Sequence, residues 1–579
     1  MEREQLDQKY HSVLKKQAQK AEKCNNMGAA IEWWSQLNRK NPYNTYAVRQ
    51  LMEALLVQDR KPEALRIAQK HAKYLQSEVG ANAQKEYQKL IRNLENSVHL
   101  KVKNPSQADS KRLNPRAIAV LPFSNLNGEQ DINSFAVGIH NDLMVKLSSL
   151  SALKVISRNS VEQYQDSSRN IFDIGQRLGV GTIIEGSVQN TSEKVRVHVQ
   201  LSEAQSNQLL WAETYQRNLT AENIFDIQSE LAEKISETLQ ATLTRSEKKR
   251  VHEVPTKNLQ AYHFYVQGRT HLNQRTKSSI RQSLKYFNQA IDYDEKYALA
   301  WAGLAEALAL CKFYGYTYSS ITTSRALEAG RKTLDLDPNL AEGRASMGII
   351  HAIKQDAPAA VEQLELAVQL QPSYAEALNW LAWVLMMKGD IELAMLPAEQ
   401  AKELDPISTY VRTYMAEIYL ADGRFEEALG EARIARRIQP EFALTHFMEG
   451  IALFHLEHFY EAMLALRESM QLVDTSSVPS ISEAKAIQGL IHVFTDEMKQ
   501  AQEILLALKD GTDWFSIALL EAALGNHEAA INKIEMIEEW SYFNTVYLRY
   551  LFPDILDPIR QSPKYPAILK KVNQSWNIN

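Results

Sequence analysis

The residues whose types and spacing suggest chemistry are few and widely separated. His455 and His458 lie three residues apart on a predicted helix, a spacing that would place two metal ligands on one helix face. No carboxylate or cysteine accompanies them at a suitable spacing, so we interpret them as structural histidines. Gly179-Val180-Gly181 lacks the downstream glycine of a dinucleotide-binding loop. We interpret it as a helix C-cap followed by a turn.

Catalytic motifs are absent from the sequence. It contains no G-x-x-x-x-G-K-[ST] phosphate loop, no H-E-x-x-H zinc motif, no G-x-S-x-G elbow and no kinase H-R-D motif. The acidic pairs Glu426-Glu427 and Glu538-Glu539 fall in predicted turns or polar faces, where solvation accounts for them. We therefore expect a protein that is not an enzyme and has no catalytic residue, bound metal or cofactor.

Charge is distributed unevenly along the chain. The formal net charge is −5 over 579 residues, but residues 1–100 hold 17 Lys and Arg against 11 Asp and Glu. Residues 101–116 add five bases and one acid, so the first 116 residues are near +10 and the remainder near −15. A basic head on an acidic body is compatible with nucleic-acid contact. More often such asymmetry reflects solvated helix faces or docking between domains.

The cysteine content, the first residues and the length of the apolar runs indicate a cytoplasmic protein. Cys24 and Cys311 are the only cysteines, which is typical of a reducing compartment. The first 20 residues have no apolar core, so they do not form a signal peptide. No uninterrupted apolar run approaches the roughly 18 residues of a transmembrane helix.

A repeat of 34 residues is the strongest pattern in the sequence. Four prolines recur at this interval, each after the apolar end of a predicted helix: Pro338, Pro372, Pro406 and Pro440. Small residues keep the same phase in three registers: Ala360, Ala394, Ala428 and Ala462; Ala367, Ala401 and Ala435; and Gly348, Ala382, Ala416 and Gly450. This period predicts tetratricopeptide repeats (TPRs), in which two antiparallel helices form each unit. Less regular units extend the array from residue 258 to residue 540.

The repeats would position side chains for recognition. In a TPR, positions 2, 5, 9 and 12 of the first helix face the concave groove. Three consecutive units place there Glu376, Asn379, Trp383 and Met386; Tyr410, Thr413, Glu417 and Leu420; and Leu444, Phe447, Ile451 and Phe454. This apolar set suits an amphipathic helix or an extended peptide. The same side chains suit packing against the chain's own domains, and the sequence leaves both readings open. The candidate partner-binding residues are Asn379, Trp383, Met386, Tyr410, Glu417, Phe447, Ile451 and Phe454.

The N-terminal block is predicted to be helical and TPR-like. It contains Ala29-Ala30, Trp33, Asn41-Pro42, Leu51-Met52-Glu53-Ala54-Leu55, Ala64-Leu65, Leu75 and Glu78-Val79-Gly80. In these residues it resembles the bacterial transcriptional activator domain of large multidomain regulators. The resemblance covers about 90 residues.

Residues 117–245 change from helical periodicity to alternating polarity. Strands are predicted at 117–123, 153–157, 182–189, 194–204 and 209–216, with helices at 133–150, 170–180 and 225–243. This order predicts an α/β sandwich with helices on one face of a mixed sheet.

The same segment is similar to the TolB-like amino-terminal domain of bacterial regulators. The matching runs are Ile118 to Phe123, Phe135 to Ile139, Leu178 to Val180, Ile184 to Val188 and Trp211 to Tyr215. In that family the domain commonly precedes TPRs and follows an effector domain. Enterobacterial invasion-gene activators have this layout. No winged-helix domain precedes residue 1, so we expect a regulator without that DNA-binding domain.

The sequence thus predicts a multidomain, mostly α protein. The expected domains are 1–97, helical and activator-like; 98–116, a basic linker; 117–250, TolB-like α/β; 258–540, a TPR solenoid; and 541–579, C-terminal capping helices and a tail. We expect a cytoplasmic scaffold or regulator that binds a protein or peptide through the TPR groove and has no membrane contact. The alternative is a transcriptional regulator that acts on DNA through the basic N-terminal region or within a complex.

Overall fold

The computed structural model divides into two compact units, residues 1–111 and 112–579. The described residues are 14, 17–18, 20–21, 27–40, 48, 50–52, 54–55, 67, 113–126, 133–165, 170–191, 193–314, 316, 320–472, 480–509, 511, 513–538, 540 and 542–578. Residues 98–112 of the predicted linker lie outside them.

The first unit contains helix α1 (Met27–Lys40). Trp34 of this helix is fully buried beside Ala30, Leu37, Leu51 and Leu55. Apolar residues at helical spacing therefore form a small core, and the helical character predicted for this block is confirmed over these residues. The predicted motif residues 41–42, 53, 64–65, 75 and 78–80 lie outside the described residues.

The second unit begins with a mixed sheet. Its strands are β1 (Ala117–Val120), β2 (Ser124–Asn125), β3 (Lys154–Val155), β4 (Thr182–Asn190), β5 (Lys194–Glu203) and β6 (Leu209–Asn218). The strand order is β3-β1-β4-β5-β6, with β2 paired to β4. Strand β1 is parallel to β3 and β4, whereas β4, β5 and β6 form the predicted antiparallel meander. The mixed sheet is confirmed.

Burial along the strands shows which faces are covered. On β5 the apolar residues from Val195 to Leu201 are fully buried, and Lys194, Arg196 and His198 between them are exposed. One face is therefore open there, as predicted. At β1 every residue from Ala117 to Val120 is buried, so both faces are covered. Parallel strands need crossover connections that pack on the sheet, and these cover the second face.

Among the described residues, five helices belong to this α/β part of the chain and a sixth leads into the repeats. They are α2 (Asn133–Ser148), α3 (Arg158–Glu162), α4 (Ile171–Leu178), α5 (Ala221–Thr238), α6 (Arg245–Val251) and, leading into the repeats, α7 (Leu259–Asn273). Helix α4 ends at Gly179, whose φ of 67° is left-handed, which confirms the predicted C-cap. Helix α7 packs closely on α2, because a Cβ at Gly138 would lie 2.6 Å from Tyr262 Oη. The α/β domain and the first repeat helix thus share one core.

The repeats continue as antiparallel helix pairs. After α7 come α8 (Lys277–Tyr293), α9 (Ala298–Phe313), α10 (Ser320–Leu336), α11 (Ala341–Ile353), α12 (Ala357–Leu370), α13 (Ala375–Lys388), α14 (Ile391–Leu404), α15 (Thr409–Ala421), α16 (Phe425–Ile438), α17 (Ala443–His455), α18 (Phe459–Leu472), α19 (Ile481–Phe494), α20 (Met498–Lys509), α21 (Trp514–Ala523) and α22 (His527–Glu535). This arrangement confirms the TPR solenoid.

The small-residue registers mark the closest helix contacts. Ala360, Ala394, Ala428 and Ala462 are all fully buried. A Cβ added to Gly348 would lie 2.5 Å from Leu364 Cγ, and one added to Gly450 would lie 2.8 Å from Leu466 Cγ. Each pair of helices therefore packs at a distance that a larger side chain would prevent.

Three further helices fold back onto the repeats. They are α23 (Tyr542–Tyr550), α24 (Pro553–Arg560) and α25 (Tyr565–Ser575). The Trp576 ring centroid lies 5.9 Å from that of Trp383 on α13, and that of Phe552 lies 5.5 Å from Phe454 on α17. At one edge, Arg549 Nη1 donates to the carbonyl of Lys388 at 3.4 Å. The C-terminal helices therefore pack on the first helices of the repeats.

Candidate functional site

The predicted groove positions are mostly buried. Trp383, Met386, Phe447, Ile451 and Phe454 are at most 6% exposed. On α17 every residue from Ala443 to Phe454 is buried. Helix α17 therefore has neighbouring elements on all sides, and the C-terminal helices are among them. Thr413, Leu420 and Leu444 are buried as well.

Glu417 occupies a groove position without a hydrogen-bond partner. Its side chain is 2% exposed, and neither carboxylate oxygen has a partner. Because burial in an apolar environment disfavours the charged form, the pKa of Glu417 is raised to about 8. The carboxyl group is therefore held mainly as the neutral acid near neutral pH.

Asn379 and Tyr410 lie elsewhere, at a cavity between the α/β domain and the repeats. With Glu376 they line a space of about 430 Å³. Helix α2 and the segment that leads into α3 form one wall, and α7, α11, α13 and α15 supply the others. The structure therefore separates the predicted groove residues into a buried apolar group and a group that faces a cavity.

Three arginines of the cavity wall are each paired with a carboxylate. Arg269 Nη1 lies 2.6 Å from Glu306 Oε2, and Arg275 contacts both Glu376 and, at 3.6 Å, Glu306 Oε1. The Glu306 side chain is 4% exposed. One buried carboxylate thus holds two guanidinium groups, and this charge cluster joins α7 and the turn after it to α9 and α13.

Arg158 is paired near the same cavity. Its Nη2 lies 3.2 Å from Glu162 Oε1 on the same short helix. Its other terminal nitrogen, Nη1, is buried and has no hydrogen-bond partner. Burial lowers the pKa of Arg158, and the neighbouring charge of Arg269 lowers it further. An unused, buried, cationic donor is therefore held at the cavity wall.

Asp142 contributes a carboxyl group from α2. Its Oδ2 accepts hydrogen bonds from Tyr262 Oη at 2.7 Å and from Gln228 Nε2 at 3.0 Å. Burial nevertheless raises the pKa of Asp142 to about 6. This carboxyl group is satisfied by neutral donors and is not ion-paired with an arginine.

Most residues of this cavity lie outside the set predicted from the sequence. Arg158 belongs to α3, a helix of five residues that was not predicted, and Glu342 begins a repeat helix without any motif. The available signal was the polar groove set Glu376, Asn379 and Tyr410, which line the cavity. Thr413 and Glu417 are polar as well but are buried, so polarity alone does not identify the cavity.

The histidine pair is structural. The His455 ring stacks on Phe425 with a centroid distance of 4.3 Å and on Phe552 at 5.1 Å. Burial lowers the pKa of His455 to about 4. His458 lies 3.7 Å from Glu461. Across the described residues, no three potential ligands of a metal ion lie together.

No helix in the described ranges is long and apolar enough to cross a bilayer.

Three segments of the chain match known domain families. Residues 1–95 match the bacterial transcriptional activator domain, and residues 114–234 match the second domain of HilA/YgeH-like transcriptional regulators. Residues 350–406 match the tetratricopeptide repeat. These are regulatory or protein-interaction domains, and they confirm the predicted layout of an activator domain with TPRs. The TolB-like assignment of the central segment stays a prediction, as do the exact domain boundaries.

The chain is also similar to individual proteins. The putative adenylate cyclase 3 of Rhizobium meliloti (strain 1021) is 29% identical over 274 residues, which are 45% of this chain and 46% of that protein. The match thus spans less than half of that relative's length. The APC/C hetero-tetramer Cut9-Hcn1 is 12% identical with a TM-score of 0.41, covering 97% of this chain and 96% of that one. The Pseudomonas aeruginosa pilF protein is 17% identical with a TM-score of 0.30, covering 36% and 90%.

Proposed function

We propose that this chain is a cytoplasmic regulatory protein that binds a partner protein through the first helices of its repeats. In the structure, Trp576, which directly follows α25, and Phe552 contact that surface. The proposed partner presents an amphipathic helix that replaces α25.

The packing of α25 supports this proposal. Ile568, Val572 and Trp576 recur every four residues and are at most 2% exposed, whereas Lys570 and Lys571 are exposed. Apolar anchors at this spacing are typical of a helix bound in a groove. Trp576 contacts Trp383, one of the predicted groove residues, and this contact supports the proposal that the groove binds an amphipathic helix.

Polar contacts also hold α25 and the residues that flank it: Lys564 Nζ lies 2.9 Å from Glu535 Oε2, and Arg549 Nη2 donates to Asn573 Oδ1 at 2.7 Å. Ala357 N donates to the carbonyl of Trp576 at 3.2 Å, and Asn577 Nδ2 donates to Asp356 Oδ1 at 2.9 Å. Trp576 supplies the large aromatic anchor. Removing it should loosen α25 and raise the fraction of molecules with an accessible groove.

Trp576→Ala is therefore expected to increase partner binding, whereas Trp383→Ala on the groove side is expected to decrease it. The apparent affinity rises with the competent fraction, so we expect at least about a tenfold gain for Trp576→Ala. The measurement is affinity capture from the native cytoplasm with quantitative mass spectrometry. Lys570→Ala, an exposed change on the same helix, serves as the control and should behave as the wild type. Equal capture by all four forms would contradict the proposal.

A second candidate is a transcriptional regulator that acts on DNA through the basic N-terminal region or within a complex. The matches to two domains of transcriptional regulators favour it, together with the excess of bases in residues 1–116. Phosphate contacts release counterions, so affinity for duplex DNA should fall steeply with salt. We expect this salt-dependent binding in the full chain and its loss when residues 1–116 are removed. Affinity that is insensitive to salt, or that survives the removal, would eliminate direct DNA contact.

A further inference from the structure

The cavity between the α/β domain and the repeats is not used by the proposed partner binding. Its volume of about 430 Å³ lies within the usual range of small-molecule sites, roughly 300–1,000 Å³. Its walls come from the α/β domain and from four repeat helices. A ligand there would contact both parts of the second unit.

Two charged groups in the wall have an atom that forms no hydrogen bond with any residue in the described part of the chain. One is Nη1 of Arg158, described above. The other is Oε1 of Glu342, which is buried and has no partner, in a residue that is 8% exposed. Buried polar atoms in proteins are nearly always satisfied, so a donor and an acceptor left unsatisfied in one cavity wall indicate a ligand that supplies both.

The remaining charged groups are already satisfied by protein partners. Arg269 and Arg275 are paired with Glu306 and Glu376, as described above. Asp405 accepts hydrogen bonds from Ser160 Oγ at 2.6 Å and from Asn159 Nδ2 at 3.1 Å. These groups therefore do not determine the charge of the ligand.

The two unsatisfied atoms favour a ligand that carries charges of both signs. A simple anion would leave Glu342 Oε1 unsatisfied, and a simple cation would leave Arg158 Nη1 unsatisfied. A ligand with a carboxylate and an ammonium group satisfies both atoms.

Tyrosines complete the wall. Five line the cavity: Tyr265, Tyr314, Tyr374, Tyr410 and Tyr414. Their rings provide faces for a cationic or apolar group, and their hydroxyls provide hydrogen bonds. Such a wall holds a small polar molecule with an organic side chain better than it holds an inorganic ion.

We infer that this cavity binds a small zwitterion, an α-amino acid or dipeptide, with its carboxylate on Arg158 and its ammonium group on Glu342. The ligand bridges the α/β domain and the repeats.

The test uses the full chain and a panel of the L-amino acids and dipeptides at roughly millimolar concentration, a range that detects weak ligands. Thermal denaturation and calorimetry measure binding. We expect at least one compound to raise the Tm, and both its N-acetylated and its C-amidated forms to bind about tenfold or more weakly. These derivatives test each end of the ligand on the unaltered protein.

Two substitutions test the assigned residues. Arg158→Gln should lower the affinity for the ligand with a free carboxylate about tenfold and leave the affinity for its C-amidated form unchanged. Glu342→Gln should lower the affinity for the ligand with a free amine and leave the affinity for its N-acetylated form unchanged. Lys154→Gln, at an exposed ion pair with Glu403, is the control and should bind as the wild type. The inference is overturned if no compound binds the wild-type chain, or if the derivatives bind as tightly as the parent compound.

Discussion

Replacing Glu306 by Gln is expected to lower the free energy of unfolding of the second unit by about 3–5 kcal/mol. Glu306 lies within ion-pair distance of Arg269 and Arg275, and its side chain is 4% exposed. Glutamine keeps the size of the side chain and removes its charge. The guanidinium group of Arg269 then loses the carboxylate that offset its desolvation, and that of Arg275 keeps its contact with Glu376.

Urea denaturation monitored by circular dichroism measures this effect. The matched control is Glu403→Gln, which removes an ion pair of 2.7 Å to Lys154 in which the side chains are 64% and 36% exposed. Exposed pairs contribute about 0–1 kcal/mol, so the control should change the unfolding midpoint little. Similar losses in the two variants would show that burial does not govern the strength of the Glu306 cluster.

Relative to the wild type, Glu417→Gln is expected to be more stable in alkaline solution than in acidic solution. The expected change is a few kcal/mol in the free energy of unfolding, because each unit of pKa shift corresponds to about 1.4 kcal/mol. The folded-state pKa of Glu417 is raised to about 8 from an ordinary value of 4.5. The folded protein therefore binds the proton more tightly than the unfolded chain. The stability associated with this carboxyl group is complete below about pH 4.5, decreases as the pH rises, and is lost above about pH 8.

The measurement compares the unfolding free energies of wild type and variant at about pH 4.5 and pH 8.5. Glutamine does not titrate, so the difference in unfolding free energy between variant and wild type should shift in favour of the variant at the higher pH. Glu399→Gln, at an exposed position on α14, provides a control whose difference should not change between the two conditions. If the difference in unfolding free energy between Glu417→Gln and wild type is also independent of pH, the raised pKa of Glu417 is contradicted.

Periodic features of the fold could be predicted because they depend on local pattern. Prolines and alanines at intervals of 34 residues identify the repeats, and the alternation around Val195, Val197 and Val199 identifies a strand with one open face. These patterns arise from contacts between neighbouring elements. They are therefore visible in a short stretch of sequence.

The candidate site could be predicted only in part, because it depends on contacts between distant segments. Trp383 and Phe454 are apolar whether they meet a partner or the chain's own helices, so residue type does not distinguish the two. Arg158 and Glu342 lie 184 positions apart in the sequence, and no local pattern relates them. Only the packing of the α/β domain against the repeats places both in one cavity wall.

The C-terminal helices are synthesised after the repeats that they cover. Trp576 follows its contact Trp383 by 193 residues, Phe552 follows its contact Phe454 by 98 residues, and ribosomes add roughly 5–20 residues per second. Trp383 and Phe454 are therefore synthesised about 10–39 s and about 5–20 s before the aromatic residues that cover them. During that interval each newly synthesised molecule exposes Trp383 and Phe454, so the groove is first available to other polypeptides at translation.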